Sequence, residues 1–130
     1  MHMHCRYDPQ FFIFNDVVVY HPQSRSYELY RYPTDVFPPT DFHTATLLGD
    51  SIWIIGSLGY KQDRGDVTPV YRLEIDTLAI NKVEIDGDNP GWIYEHGAEV
   101  KGENVIEITD KAGVWELDVS HRTWRKMGGT

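Results

Sequence analysis

The sequence predicts an all-β protein. Short runs rich in Val, Ile, Tyr, Phe and Trp recur along the 130 residues, and Gly, Asp, Asn and Pro separate them. Aromatic residues make up 13% of the chain, which is typical of β-sheets. No window keeps a helical period for more than about two turns. The expected strands are residues 10–14, 17–21, 27–32, 42–48, 51–56, 70–75, 80–85, 96–101, 104–109, 113–119 and 123–127.

The chain contains an internal repeat. Residues 43–55 align without gaps with residues 96–108, so that a histidine, an alanine, a Gly-acid turn and an apolar strand fall in register. Residues 70–77 align in the same way with residues 114–121. The first pair is 53 residues apart and the second is 44 residues apart. The difference in length therefore lies in the loop that joins the two halves of each unit.

We interpret the chain as repeat units in a single domain, residues 10–130, that follows an N-terminal segment, residues 1–9, which we expect to be poorly ordered. The units comprise residues 10–32, 42–85 and 96–127. The second and third units each predict a four-stranded antiparallel meander with a glycine in its first turn, whereas the first unit lacks a clear first strand. Four strands in about 45–50 residues are typical of a β-propeller blade.

The repeat units resemble those of the kelch family. A kelch repeat runs from a His-x-Ala element through a short turn and an apolar strand to a Leu-Asp element, with a Trp a few residues later. The resembling residues are His43, Ala45, Gly49, Asp50, 52–56, Tyr71, Leu73 and Asp76 in the second unit, and His96, Ala98, Gly102, 105–108, Leu117, Asp118 and Trp124 in the third. The resemblance implies an incomplete β-propeller of about three kelch-like blades. It also implies an interaction module, because most members of the kelch family serve that role. Some members of the family, however, are enzymes.

The meander predicts that the long connections lie on one face. In each unit the first and third turns share one end, and the other connections share the opposite end. The long connections, residues 33–41, 57–69 and 86–95, then fall together at that second end. Loops on a rigid scaffold often bind ligands, and aromatic and cationic side chains often anchor them. We therefore expect binding contacts from Phe37, Tyr60, Lys61, Arg64, Trp92 and Tyr94.

No residue pattern identifies a catalytic or metal centre. The repeat itself accounts for His43 and His96, for which we expect a structural or hydrogen-bonding role. His2, His4 and Cys5 are residues of metal-ligating types, but the sequence places no further ligands beside them. The sequence shows neither a Ser-His-Asp arrangement nor a phosphate-binding loop. We therefore expect no catalytic residue, no metal site and no cofactor.

Charge and cysteine content limit the partners and the compartment. Acidic residues outnumber basic residues by 20 to 12, and the net charge of −8 disfavours nucleic acid as a partner. No apolar run approaches the roughly 20 residues of a membrane helix, so we expect no membrane partner. The single cysteine fits a reducing compartment, and we expect a cytoplasmic protein.

The sequence favours a non-catalytic, kelch-like binding module that recognises a protein or peptide through its long-loop face. One alternative is a subunit or remnant of a carbohydrate-processing propeller enzyme, and another is a structural piece of a larger assembly. Closed propellers need about four to eight blades, so three blades predict a homo-oligomer or a part of a larger propeller. A compact barrel or sandwich formed by a single chain is the remaining alternative.

Overall fold

The computed structural model describes residues 15–129 and shows an all-β protein, as the sequence predicts. Within these residues the strands form three sheets, called sheets 1, 2 and 3 in chain order. Sheet 1 contains β1 (Asp16–His21) and β2 (Ser26–Arg31). Sheet 2 contains β3 (Thr44–Leu48), β4 (Ser51–Ile55), β5 (Val70–Glu74) and β6 (Ile80–Lys82). Sheet 3 contains β7 (Asp86–Gly87), β8 (Gly97–Val100), β9 (Val105–Asp110), β10 (Gly113–Asp118) and β11 (Thr123–Gly129).

The observed strands follow the expected ones with small shifts at their ends. The expected strand at residues 10–14 lies outside the described residues, as do His2, His4 and Cys5. The structure adds β7, which the sequence pattern did not indicate, and β6 ends at Lys82 rather than at Ile85. Within residues 15–129 the one helical element is a 3-10 turn at Lys61–Asp63, and no helix there has the length and apolar character to cross a membrane.

Sheets 2 and 3 are built from consecutive antiparallel strands. Sheet 2 has the order β3-β4-β5-β6, and sheet 3 places β8-β9-β10-β11 in the same succession. The short strand β7 pairs in parallel with the outer edge of β11, with Asp86 opposite Thr123. The chain therefore passes from the outer edge of sheet 2 to the outer edge of sheet 3 before it enters β8 at the opposite edge.

Sheet 2 is the middle layer of the molecule. All five residues of β4 are buried, and because side chains alternate along a strand they supply both faces of the sheet. Ile52 and Ile54 belong to the apolar cluster between sheets 1 and 2. Trp53 and Ile55 belong to the cluster between sheets 2 and 3. The sheets thus stack face to face in chain order, and residues 15–129 do not close a ring.

The backbone of the turns repeats along with the sequence. Arg25, Leu78 and Arg122 lie in the turns that lead into β2, β6 and β11, and their φ angles are 54°, 60° and 52°. Phe42 and Glu95 precede the two aligned histidines and have φ angles of 51° and 57°. Non-glycine residues rarely adopt positive φ. The recurrence of this conformation at aligned positions therefore supports the internal repeat.

Candidate functional site

The long connections meet at one end of sheets 2 and 3, which we call the long-loop face. It comprises residues 32–43, 57–69 and 86–95, and backbone hydrogen bonds join all three segments. The N–H of Ser57 donates to the carbonyl of Ile93 at 2.9 Å, and the N–H of Leu58 donates to the carbonyl of Asp41 at 2.9 Å. The carboxylate of Asp41 also accepts the N–H of Gly59 at 2.8 Å. The long loops therefore lie together, as the meander predicts.

Asn89 ties the end of loop 57–69 to the connection between sheets 2 and 3. Its side-chain oxygen accepts the N–H of Thr68 at 3.2 Å and the N–H of Gly91 at 2.8 Å. The hydroxyl of Thr68 donates to the carbonyl of Gly91 at 2.5 Å. Thr68 is buried, so these bonds form a rigid floor for the loop.

Arg64 and Trp92 hold the middle of the same loop. The Nε of Arg64 donates to the carbonyl of Leu58 at 2.9 Å, and the indole Nε1 of Trp92 donates to the same carbonyl at 3.3 Å. The indole also lies under the loop, since a Cβ placed on Gly65 would be 3.8 Å from the ring. Both side chains therefore support the loop on which the sequence predicts binding contacts.

A cleft of about 300 Å³ opens between loop 57–69, residues 38–40 and residues 82–85, which begin at the end of β6 on the outer edge of sheet 2; we call it the edge cleft. Its walls are largely apolar, with Pro39, Val67 and Trp92 among the lining residues. Val67 is 57% exposed and lies at the rim. Binding pockets for small groups are typically apolar with a few polar atoms, and this volume is at the lower end of their range.

Ser57 supplies a polar atom at the edge cleft. The residue is only 5% exposed, and within residues 15–129 its hydroxyl has no hydrogen-bond partner. A buried hydroxyl without a partner costs about 1–3 kcal/mol. A polar group of a ligand that reached this hydroxyl would remove that cost.

The structure corrects the expectation for Phe37, which does not lie on the surface. Phe37 is fully buried, and its ring packs edge-on against the rings of Tyr32 and Tyr71 at centroid distances of 6.2 and 5.3 Å. The space between sheets 1 and 2 takes this side chain because burying a phenylalanine is worth about 1.5–3 kcal/mol relative to leaving it exposed. Its role is packing beneath the long-loop face.

The other expected contacts lie on the long-loop face but not at one point. Trp92 lines the edge cleft, whereas Lys61 is exposed in the 3-10 turn and Tyr60 is half-buried beside it. Arg64 is exposed, but its guanidinium is used within the loop. Tyr94 is exposed and borders a second cavity, which Trp92 also lines.

Sequence reasoning missed Ser57 and residues 82–85. The repeat alignment treats residues 57–69 as an insertion, so it carries no information on the path of this loop over the outer edge of sheet 2. One feature of the sequence could have indicated Ser57 as a site residue: it directly follows Gly56 at the end of an apolar strand.

His96 has a structural place between sheets 2 and 3. It is buried, and its Nε2 lies 3.1 Å from the hydroxyl of Thr44. Burial lowers the pKa of His96, while the Ile55 carbonyl and the Asp110 carboxylate oppose that shift. Among residues 15–129, no three His, Cys, Asp or Glu side chains group closely enough to hold a metal ion.

The turn between β10 and β11 brings together Asp118, Ser120 and His121, the residue types of a hydrolase triad. The Nδ1 of His121 lies 3.0 Å from the Asp118 carboxylate and 3.1 Å from the Ser120 hydroxyl. A triad needs the serine on one ring nitrogen and the carboxylate on the other. Here both face the same nitrogen, and Asp118 also accepts the backbone N–H groups of Ser120 and His121. The group is therefore a turn motif.

Comparison with known protein families gave no matching family model, and comparison with curated proteins gave no significant relative.

Proposed function

We propose that this chain is a non-catalytic, kelch-like binding module that recognises a protein or peptide through its long-loop face. The edge cleft is the centre of the contact, and Trp92 is its aromatic anchor. We propose a cytoplasmic location, because the single cysteine fits a reducing compartment.

The observation that carries this proposal is an apolar cleft, lined by Val67 and Trp92, that the buried Ser57 borders with an unpaired hydroxyl within residues 15–129. An apolar side chain of a ligand would fill the cleft. Rotation of the Ser57 side chain toward the cleft would then let an adjacent peptide group supply the hydrogen bond that its hydroxyl lacks within residues 15–129. A peptide offers both groups within one residue. The cleft stands on a loop held by Asn89, Arg64 and Trp92, so little ordering of the loop opposes binding.

The carbohydrate-processing alternative would use two carboxylates at the same cleft. Asp63 and Glu84 both line it. The Glu84 side chain is 86% exposed, however, whereas a glycosidase holds its acid and its nucleophile against the sugar inside the pocket. The geometry therefore favours binding without turnover.

Selection from a displayed library of random peptides of about eight residues tests the proposal. A selected peptide is then titrated calorimetrically against the whole chain, against Val67→Lys at the rim of the cleft and against Leu29→Lys on sheet 1. Both replaced residues are exposed, so both variants should fold. We expect Val67→Lys to weaken binding about tenfold or more, or 1.4 kcal/mol, and Leu29→Lys to leave it unchanged.

Two results would contradict the proposal. One is the failure of the library to give any peptide that binds the chain in solution. The other is equal binding by the Val67→Lys and Leu29→Lys variants, which would place the contact outside the cleft. Hydrolysis of aryl glycosides by the chain, abolished in Asp63→Asn or Glu84→Gln, would establish the carbohydrate-processing alternative.

A further inference from the structure

In sheet 3 the chain itself adds a strand to the outer edge. Strand β7 pairs in parallel with β11, and the N–H of Asp86 donates to the carbonyl of Arg122 at 3.0 Å. Gly87 has a φ of 95°, and a Cβ at this position would lie 2.3 Å from the carbonyl oxygen of Trp124. In this fold, β11, the last strand of a meander, therefore pairs with a further extended segment whose backbone lies close to its own.

In sheet 2 the equivalent position is not filled in the same way. When the offsets of 44 and 53 residues are extended beyond the aligned segments, Leu78 corresponds to Arg122 and Pro33 corresponds to Asp86. Proline has no N–H, so it cannot make the bond that begins β7. The hydroxyl of Tyr32 instead donates to the Leu78 carbonyl at 2.8 Å. Within residues 15–129, sheet 2 consequently ends at β6.

Further along the outer edge of sheet 2, past the Leu78 carbonyl that Tyr32 binds, the backbone N–H and carbonyl of Lys82 point away from the sheet. The N–H of Val83 donates to the carbonyl of Val70 and so points toward β5. Because backbone groups alternate in direction along a strand, the N–H and carbonyl of Lys82 point outward. Within residues 15–129 no backbone group pairs with them, and the Lys82 side chain is 61% exposed.

The open edge and the edge cleft are continuous. Residues 82–85 line the same cleft as Ser57 and Trp92. Successive side chains of a strand alternate between its two sides, so a strand beside Lys82 would turn every second side chain toward the cleft. The backbone pairing and the apolar pocket can thus be used by one short extended segment.

We propose that the ligand is an extended peptide that adds a strand to sheet 2 beside Lys82 and inserts one apolar side chain into the edge cleft. Such strand addition gives affinity through main-chain hydrogen bonds and specificity through pockets for alternate side chains. The chain's net charge of −8 selects against acidic peptides. This inference rests on the proposed function, because it names the ligand class of that same site.

The probe is a peptide selected from the displayed library, titrated against the whole chain. Lys82→Pro removes the outward N–H, while Lys82→Ala removes the same charge and keeps the N–H. Proline is tolerated on edge strands, and thermal unfolding of both variants shows whether they fold. A second series leaves the protein unchanged and methylates the backbone nitrogens of the peptide one at a time.

We expect Lys82→Pro to weaken binding about tenfold relative to Lys82→Ala, because the proline variant loses one hydrogen bond between uncharged backbone groups. N-methylation should weaken binding at alternate positions of the peptide and have little effect between them. If both Lys82 variants bind alike and no alternation appears, while Val67→Lys still weakens binding, the strand addition is wrong and the proposed function stands. If Val67→Lys has no effect either, the proposed function fails as well.

Discussion

Gly56 shows how a single residue sets the junction between sheets 2 and 3. It directly follows β4 with a φ of 80°, and a Cβ here would lie 2.3 Å from Cε1 of His96 and 2.7 Å from the carbonyl oxygen of Ile93. The glycine therefore provides both the left-handed backbone and the space for the imidazole. Directly after it, the N–H of Ser57 bonds to Ile93 and fixes the start of the long loop.

Gly56→Ala should destabilise the fold far more than Gly49→Ala. Gly49 has a similar φ of 67°, but nothing lies within 4 Å of its Cβ position. Gly49→Ala should cost about 1–2 kcal/mol, the penalty for a left-handed alanine. Gly56→Ala adds the clash with His96 and Ile93, and should cost about 3 kcal/mol or more. Urea unfolding measures both values; equal costs would contradict the packing described for His96.

The stability of the fold should fall as the pH is lowered through the range in which His96 titrates. Burial holds the pKa of His96 below its ordinary value of 6.5, so the unfolded chain binds a proton more readily than the folded chain. The contribution of this group is complete above the unfolded pKa of about 6.5 and is lost as the pH falls through the folded pKa.

Urea unfolding between pH 8 and pH 5 measures this loss, and His96→Gln is the matched variant. The variant should show a flatter dependence of unfolding free energy on pH than the natural chain. Asp118, whose pKa is lowered chiefly by the backbone N–H of His121, contributes stability that is lost only as the pH falls below its ordinary pKa of 3.8, which is outside this range. Parallel curves for the two proteins would show that His96 is not the group responsible.

At the scale of the strands, the two aligned leucines test whether the repeat units are equivalent in energy. Leu73 on β5 and Leu117 on β10 are both fully buried, in different apolar clusters. Leu→Ala at each position should cost about 2–5 kcal/mol because it removes buried methyl groups and leaves a cavity. Denaturant unfolding of the two variants measures this. A cost below about 1 kcal/mol at either site would contradict its place in the core.

Tyr32 should contribute to the contact between sheets 1 and 2. Its hydroxyl donates to the Leu78 carbonyl at 2.8 Å, and burial raises the pKa of this phenol. Tyr32→Phe keeps the packing against Phe37 and leaves the carbonyl without this donor, so it should cost about 0.5–1.5 kcal/mol. Tyr27→Phe, at an exposed position on β2, is the control and should be neutral. A neutral effect at both positions would show that the Leu78 carbonyl is satisfied by water.

The sequence predicted the strands of the fold better than its binding surface. The strands of sheets 2 and 3 follow from short runs of β-branched and aromatic residues and from the turn residues between them, which are local signals. β7 escaped prediction because two residues carry no period, and its place beside β11 depends on tertiary contacts of Gly87. The burial of the Phe37 side chain was missed for the same reason, because a loop has no periodicity that indicates which of its side chains are buried.

At the scale of the whole molecule, the stack has two unlike ends. The outer side of sheet 1 exposes Tyr27, which stacks on Tyr20 at 4.8 Å, together with Leu29. The outer side of sheet 3 carries the ion pair of Glu116 with Arg125 at 3.2 Å. Charged end faces suit contact with water, whereas exposed aromatic faces are frequent interaction sites.

We accordingly predict association of the chain through sheet 1. Native mass spectrometry at micromolar concentration should show species above 15.1 kDa, and Tyr27→Lys should shift them toward the monomer. Leu47→Lys, an exposed change on sheet 2, is the control. A natural chain that stays at 15.1 kDa would contradict the oligomer and leave a compact monomer.

The most direct test of the central claim, that the long-loop face binds a peptide in the edge cleft, is a nuclear magnetic resonance titration of the ¹⁵N-labelled chain with the selected peptide. We predict the largest shift changes at the amides of Ser57, Val67 and Lys82 and at the indole N–H of Trp92, all of which belong to residues that line the cleft. Largest changes on β1 and β2, or on the outer side of sheet 3, with the cleft residues unmoved, would contradict the claim.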